Sequence, residues 1–301
     1  MAKLTDKVVF VDDSQYQRRA EAILRGVGNL RLVGETGTGK STLVHFLCQE
    51  NDWELWEYQL STDTSRWDLL AEGVLGPDKD AQGKATGATK SSVRLGTICS
   101  WLLGPYEDEK AKQILFLDEY NYAQPSVMSL INSLADFRGS IHVPELMGSP
   151  IEAPNFDSKK GMLHRIKGKH LIVIGMNPAE KASYVGTIGM NIAQLRRFES
   201  IEVRYMQVDA ETKAVLAQVP EMNNPKDKNV LAKWLAYADT TRAHYSDGDL
   251  SIPITTGNII NYCRMYKDKT EAMSETDILE IIESMYRSDE RALLKDLTTK
   301  M

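Results

Sequence analysis

Gly34-Glu35-Thr36-Gly37-Thr38-Gly39-Lys40-Ser41-Thr42 decides the fold, because it reads Gly-x-x-x-x-Gly-Lys-Ser, the spacing of a phosphate-binding loop. Its glycines let the backbone curl until successive N–H groups point at one anion, and the helix that follows adds the positive end of its dipole. In such a loop the ammonium of Lys40 reaches the β- and γ-phosphates, and the hydroxyl of Ser41 binds Mg²⁺. The flanks supply the required context. An apolar run, Asn29-Leu-Arg-Leu-Val33, leads in, and Ser41 to Glu50 follows with Leu43, Phe46 and Leu47 at helical spacing. The expected nucleotide-binding set is therefore Gly34, Glu35, Thr36, Gly37, Thr38, Gly39, Lys40, Ser41 and Thr42.

Outward from the loop, apolar runs recur at Leu30 to Val33, Trp56 to Leu60, Ile114 to Asp118, Leu171 to Gly175 and Ile201 to Tyr205, with helical segments between them. That alternation predicts an α/β fold, a buried and largely parallel sheet with helices on both faces. Ser14-Gln15-Tyr16-Gln17 fits a capping box for a helix ending at Gly26. Pro125 to Phe137 predicts a helix with Val127, Leu130, Ile131, Leu134 and Phe137 on its buried face. From Val208 onward the pattern turns helical, with Lys213 to Gln218, Val230 to His244, Asn258 to Tyr266 and Ile278 to Leu297 as four helices. Two domains are expected, an α/β domain over residues 1–207 and a smaller all-helical one over 208–301. Ala81 to Ser92, rich in Gly, Ala, Ser, Thr and Lys, reads as a loop.

Composition sets bounds on this scheme. The 301 residues are 42% hydrophobic and 26% charged, an ordinary globular balance. No apolar run approaches the roughly 20 residues of a membrane span, and the first residues lack an apolar signal core, which predicts a cytoplasmic protein without a membrane segment. Cys48, Cys99 and Cys263 are scattered and read as small buried hydrophobes. A net charge of −6 gives no global reason to bind nucleic acid, though a local basic patch is compatible with it. Trp53, Trp56, Tyr58 and Trp67 read as packing residues.

Two further strands end in polar residues. Ile114-Leu-Phe-Leu-Asp118-Glu119 is a buried run closing on two carboxylates, placed at the sheet edge where the phosphate loop also lies. Asp118 is the candidate Mg²⁺ ligand together with Ser41, and Glu119 the candidate group that polarises water. Two solvated acids at a strand end are the bland alternative. Leu171-Ile-Val-Ile-Gly175-Met176-Asn177-Pro178 repeats the pattern with a neutral residue, and Asn177 is suited either to bonding a γ-phosphate or water or simply to forming a turn.

The order of these motifs, Gly34 to Ser41, Asp118-Glu119-Tyr-Asn121, Gly-Met-Asn177-Pro and Leu195-Arg196-Arg197-Phe198, resembles the Walker A, Walker B, sensor-1 and arginine-finger series of AAA+ ATPases. Asp118-Glu119-Tyr120-Asn121-Tyr122-Ala123-Gln124-Pro125, and Asn177-Pro178, Gly186-Thr187 and Arg197-Phe198 after it, resemble the MoxR and dynein-related branch with its CbbQ and NorQ activators. The resemblance covers residues 25 to 205 and the helical lid in outline.

The resemblance implies ATP and Mg²⁺ as cofactors and a homo-oligomeric ring, usually a hexamer, with the nucleotide between subunits. Arg197, assisted or replaced by Arg196, would complete the neighbour's site, a role a guanidinium suits because it stays charged and binds phosphoryl oxygens bidentately. A cation pair at a helix C-terminus is the plain alternative. It further implies inserts near residues 73–95 and 137–169, hydrolysis that remodels or activates a macromolecular partner, and a partner protein, commonly one with a von Willebrand A domain. Threading of nucleic acid is compatible with Lys79, Lys84, Lys90 and Arg94 but not indicated by them.

The other outcomes to weigh are a GTP-driven motor resembling the McrB-type subunit of nucleic-acid-processing or defence complexes, a small-molecule kinase, and a switch that barely turns over. Two positions depart from the family pattern. Asn258 stands where a lid arginine is usual, so either Arg264, further along the same helix, takes the role or lid closure depends less on γ-phosphate charge, and Tyr122 stands where the branch has arginine.

Overall fold

A computed structural model describes residues 7–79, 85–104, 111–178 and 195–299. In chain order the strands are β1 (Asn29–Val33), β2 (Glu54–Gln59), β3 (Ala71–Lys79), β4 (Ala85–Leu95), β5 (Gln113–Asp118), β6 (Ser140–His142), β7 (Phe156–Asp157), β8 (Met162–His164), β9 (His170–Met176) and β10 (Glu199–Glu202). The helices are α1 (Tyr16–Gly26), α2 (Lys40–Asn51), α3 (Arg66–Leu69), α4 (Thr97–Leu103), α5 (Pro125–Ala135), α6 (Val208–Gln218), α7 (Pro225–Asp247), α8 (Thr256–Tyr266), α9 (Glu275–Ser284) and α10 (Arg291–Thr299).

The five expected apolar runs become one parallel sheet in the order β10-β1-β9-β5-β2. Side chains alternate across a strand, so Ile114, Phe116, Leu171 and Val173 pack with Leu24, Leu43 and Leu47 of α1 and α2 on one face. Leu115, Leu117, Ile172 and Ile174 pack with Trp101, Val127 and Ile131 of α4 and α5 on the other. Burial on both faces is why the central strands β5 and β9 read as continuous apolar runs rather than alternating ones. β9 lies between β1 and β5. Whatever leaves the carboxyl ends of these three strands therefore meets at one edge of the sheet.

Several local expectations are corrected. The capping box at Ser14 does not form; Ser14 Oγ donates to Asp13, while Asp12 accepts the Tyr16 N–H at 2.7 Å and the Gln17 N–H at 2.9 Å. A carboxylate is the stronger acceptor at the positive end of a helix than a hydroxyl. Helix α5 stops at Ala135, Asp136 turns the chain into an extended conformation, and Phe137 is 77% exposed rather than buried. Most of the expected loop from Ala81 to Ser92 is strand β4, paired antiparallel with β3, while residues 81–84 lie outside the described ones. The insert near 73–95 is thus a two-stranded ribbon, and the one near 137–169 a three-stranded antiparallel sheet in the order β6-β8-β7. Trp67 is 47% exposed and lies beside the Arg66 guanidinium instead of packing inward. The three cysteines are buried, as expected.

Residues beyond Val208 build a separate apolar cluster around Val215, Leu231, Trp234, Ile259, Tyr262 and Ile282. Here the expected helix from Ile278 to Leu297 is two helices, α9 and α10. Between them the buried Glu290 carboxylate accepts the Arg287 N–H at 3.0 Å and the Ser251 N–H at 2.6 Å, tying the break to a distant loop. Among the described residues no helix is long and apolar enough to cross a membrane.

Candidate active site

Gly34 to Gly39 form the turn between β1 and α2, and Lys40, Ser41 and Thr42 begin the helix. Residues Thr36 to Thr42 line a cavity of about 450 Å³, closed on other sides by Val9, Phe10, Tyr16, Met206 and residues of α6 and α8. Gly34 and Glu35 lie behind the loop, in a second hollow. Gly37 has a φ of +77°, which L side chains rarely adopt, and a Cβ there would stand 2.3 Å from Thr255 Cγ2. A glycine at this position is therefore required twice over.

The Lys40 ammonium is buried under the loop. It donates to the carbonyls of Gly34 at 2.7 Å and Glu35 at 3.0 Å, and to Asn177 Oδ1 at 3.1 Å. Ser41 Oγ donates to Asp118 Oδ2 at 2.7 Å, and Asp118 Oδ1 accepts the Glu119 N–H at 2.9 Å. Glu119 takes a left-handed backbone, φ 54°, which ends the strand abruptly. Its Oε2 accepts from Asn177 Nδ2 at 2.8 Å. Asn177 thus stands between the loop lysine and the second acid, as the order β1-β9-β5 requires.

Support for that arrangement comes from residues the sequence left without a role. Asn121, fully buried, donates to the carbonyl of Asn177 at 3.1 Å and so fixes the end of β9 against the turn after β5. Gly175 is open for a different reason from Gly37: a Cβ there would stand 2.4 Å from Asp118 Oδ1. Tyr122 reaches the Asn177 side chain, and burial followed by the Glu119 charge pushes its hydroxyl pKa up.

Electrostatics follow from the partial burial of this cluster. Burial lowers the Lys40 pKa, while Asp118, Glu119 and Glu35 oppose the fall. Burial and then the neighbouring Asp118 raise the Glu119 carboxyl above its ordinary range, with Lys40 and the Asn177 hydrogen bond acting against them. Ser41 and Asp118 offer hard oxygen donors side by side, the donor set that Mg²⁺ takes along with water and phosphate oxygens.

Arg196 and Arg197 are not brought to this site. They line a different cavity of about 680 Å³ with Arg25, Arg138, Arg165 and Lys167, where Arg197 Nη2 bonds Asp136 Oδ2 at 3.0 Å. Asp136 as the partner of Arg197 was not legible in the sequence, since the two come from separate segments. Asn258 is occupied in a capping box with Thr255, accepting its N–H at 2.9 Å. Arg264 does line the nucleotide-sized cavity, and it bonds Gln218 Oε1 at 3.2 Å. Gly186 and Thr187 lie outside the described residues.

Comparison with known proteins places the chain in a family. Residues 29–198, more than half of the chain, match the family described as AAA domain (dynein-related subfamily). A protein of Sinorhizobium sp named aerobic cobaltochelatase subunit CobS is 26% identical over 245 residues, covering 80% of this chain and 67% of that protein. An uncharacterized protein of Staphylococcus saprophyticus is 24% identical over 247 residues, covering 82% of this chain and 78% of its own. Among solved structures, NtrX from Brucella abortus in complex with ADP has the same fold, with a TM-score of 0.50 and 10% identity over 90% of this chain and 54% of that one.

Proposed function

The chain belongs to the dynein-related subfamily of AAA domains and is an ATPase of that family, and from this premise we propose that it hydrolyses ATP between subunits of a ring to remodel or activate a macromolecular partner in the cytoplasm.

 

The observation that carries this is the separation of the arginine pair from the loop. Lys40 sits among three acids, Asp118, Glu119 and Glu35, while Arg196 and Arg197 gather with four other cations in another cavity. The other cations lining the cavity are already engaged, Arg264 with Gln218 and Arg204 with Glu202, so a triphosphate on the loop calls for further positive charge, and a head-to-tail neighbour bringing Arg197 supplies it. The name of the Sinorhizobium relative, a chelatase subunit, supports action within a larger assembly.

In this scheme the loop N–H groups and Lys40 bind the phosphates, and Ser41 and Asp118 hold Mg²⁺, which when bound neutralises charge on the phosphate oxygens. Glu119 accepts the proton of a water whose oxygen bonds to the γ-phosphorus in line, as the bond from that phosphorus to the β–γ bridging oxygen breaks and ADP leaves with its electron pair. Asn177 orients that water and the Glu119 carboxylate, and the neighbour's Arg197 offsets the charge that moves onto the phosphoryl oxygens.

The test is turnover and sedimentation of the purified chain with ATP or GTP. ATP is expected to be hydrolysed in preference to GTP and to drive assembly. A monomer at all nucleotide concentrations contradicts the ring, and a clear GTP preference contradicts the nucleotide.

The raised Glu119 pKa gives a second expectation. Glu119 acts ionised, so kcat/KM falls as pH drops through its pKa, and that acidic limb lies above the ordinary glutamate value of about 4.3. A pH profile with its limb at or below that value contradicts the assignment.

A further inference from the structure

Asn258, at the position of the usual lid cation, is spent on a helix cap, and contact between the loop and the helical part runs through another group. Tyr205 Oη donates to the carbonyl of Thr36, at the crown of the loop, at 2.7 Å. In a trans peptide the carbonyl of one residue and the N–H of the next point in opposite directions. Holding the Thr36 carbonyl toward Tyr205 therefore turns the Gly37 N–H the other way. Gly37 lines the nucleotide cavity, whereas Tyr205 lines the hollow behind the loop with Gly34, Glu35 and Arg242.

Tyr205 rests on a cluster that joins three lid helices. The Arg242 guanidinium of α7 lies 4.4 Å from its ring centroid. Arg242 in turn bonds both oxygens of Glu211 in α6, at 2.8 and 2.6 Å, and the Ile254 carbonyl at 2.8 Å. Glu211 also accepts from Thr256 Oγ1, at the start of α8, at 2.7 Å. The ion pair is almost completely buried, with side-chain exposures of 6% and 1%, so parting its members is costly. Thr255, one residue earlier, packs over Gly37. The helical part thus grips the Thr36–Gly37 peptide from two sides.

We propose that Tyr205 is a positioning residue for the nucleotide phosphates: its hydroxyl aims the Gly37 N–H at the anion, and Arg242 and Glu211 make that aim depend on the seat of the lid helices. This rests on the nucleotide role of the loop. A lid arginine would sense the charge of the γ-phosphate. Tyr205 instead senses the shape of the loop, so it serves di- and triphosphates equally.

The test is Tyr205→Phe, which keeps the ring over Arg242 and removes only the hydroxyl. Loss of one neutral hydrogen bond is expected to raise Kd for ATP and ADP by the same factor, roughly three- to tenfold. KM should rise with it, kcat should change less than about twofold, and the melting temperature of the nucleotide-free protein should stay put. An unchanged Kd overturns the proposal. So does a loss of affinity matched by a lower melting temperature, or one confined to ATP. Lys40→Ala separates the two levels: if that variant binds nucleotide with undiminished affinity, the loop assignment itself fails, whereas a silent Tyr205→Phe beside a strongly weakened Lys40→Ala removes only the role of Tyr205.

Discussion

Lys40→Ala is expected to weaken triphosphate binding by at least about a hundredfold. In the structure its ammonium makes three hydrogen bonds, two of them to loop carbonyls that a phosphate would displace, and it lines the cavity together with the loop. Charge-assisted hydrogen bonds are worth about 1.5–3 kcal/mol each, so losing two to phosphate oxygens passes a hundredfold, since about 1.4 kcal/mol is tenfold. Alanine also leaves Asp118, Glu119 and Glu35 without the cation that faces them, which adds repulsion toward any anion entering the loop. Titration of a fluorescent nucleotide checks this, with a melting curve to confirm the fold. Undiminished affinity would remove Lys40 from the site.

Glu119→Gln is expected to act on a different step. The amide has the shape of the acid and remains next to Asn177, but it cannot take a proton from water. Turnover should fall by about a hundredfold to ten-thousandfold, the usual contribution of a general base, with nucleotide affinity retained or increased. Affinity gains because burial and Asp118 penalise the native carboxylate, and the neutral amide escapes that repulsion beside a bound polyanion. Single-turnover hydrolysis and equilibrium binding, measured on the same sample, separate the two effects. Equal loss of both would assign Glu119 to binding rather than to chemistry.

The parts of the site legible in the sequence are those whose chemistry is local. Gly34 to Thr42 carries its turn, its anion nest and its lysine within nine consecutive residues, so spacing alone describes it. Asp118, Glu119 and Asn177 could be read because each follows a strand buried on both faces, and such strands announce themselves by unbroken apolar runs. β4 lacks that signal: Gly, Ser, Thr and Lys form it only because β3 offers backbone partners.

Contacts between distant segments were hidden for a more general reason. Asp136 with Arg197, Asn121 with Asn177, and Tyr205 with Thr36 each join residues that no periodicity relates. Phe137 shows the limit of periodicity itself. It continues the apolar stripe of α5, yet the chain leaves the helix one residue before it and carries the ring into solvent. The split between α9 and α10 is similar, since the Glu290 carboxylate that caps the break also binds Ser251, a partner far away in the chain.

The central claim is that one subunit's Glu119 works with the next subunit's Arg197, and mixing two inactive variants tests it most directly. Arg197→Ala and Glu119→Gln are each expected to bind ATP and fail to turn it over. When they are combined in equal amounts, sites with Glu119 from the first variant and Arg197 from the second become complete, and random mixing restores about a quarter of the native rate. Turnover that stays at the level of the separate variants, in rings shown by native mass spectrometry to contain both, would contradict a finger acting between subunits.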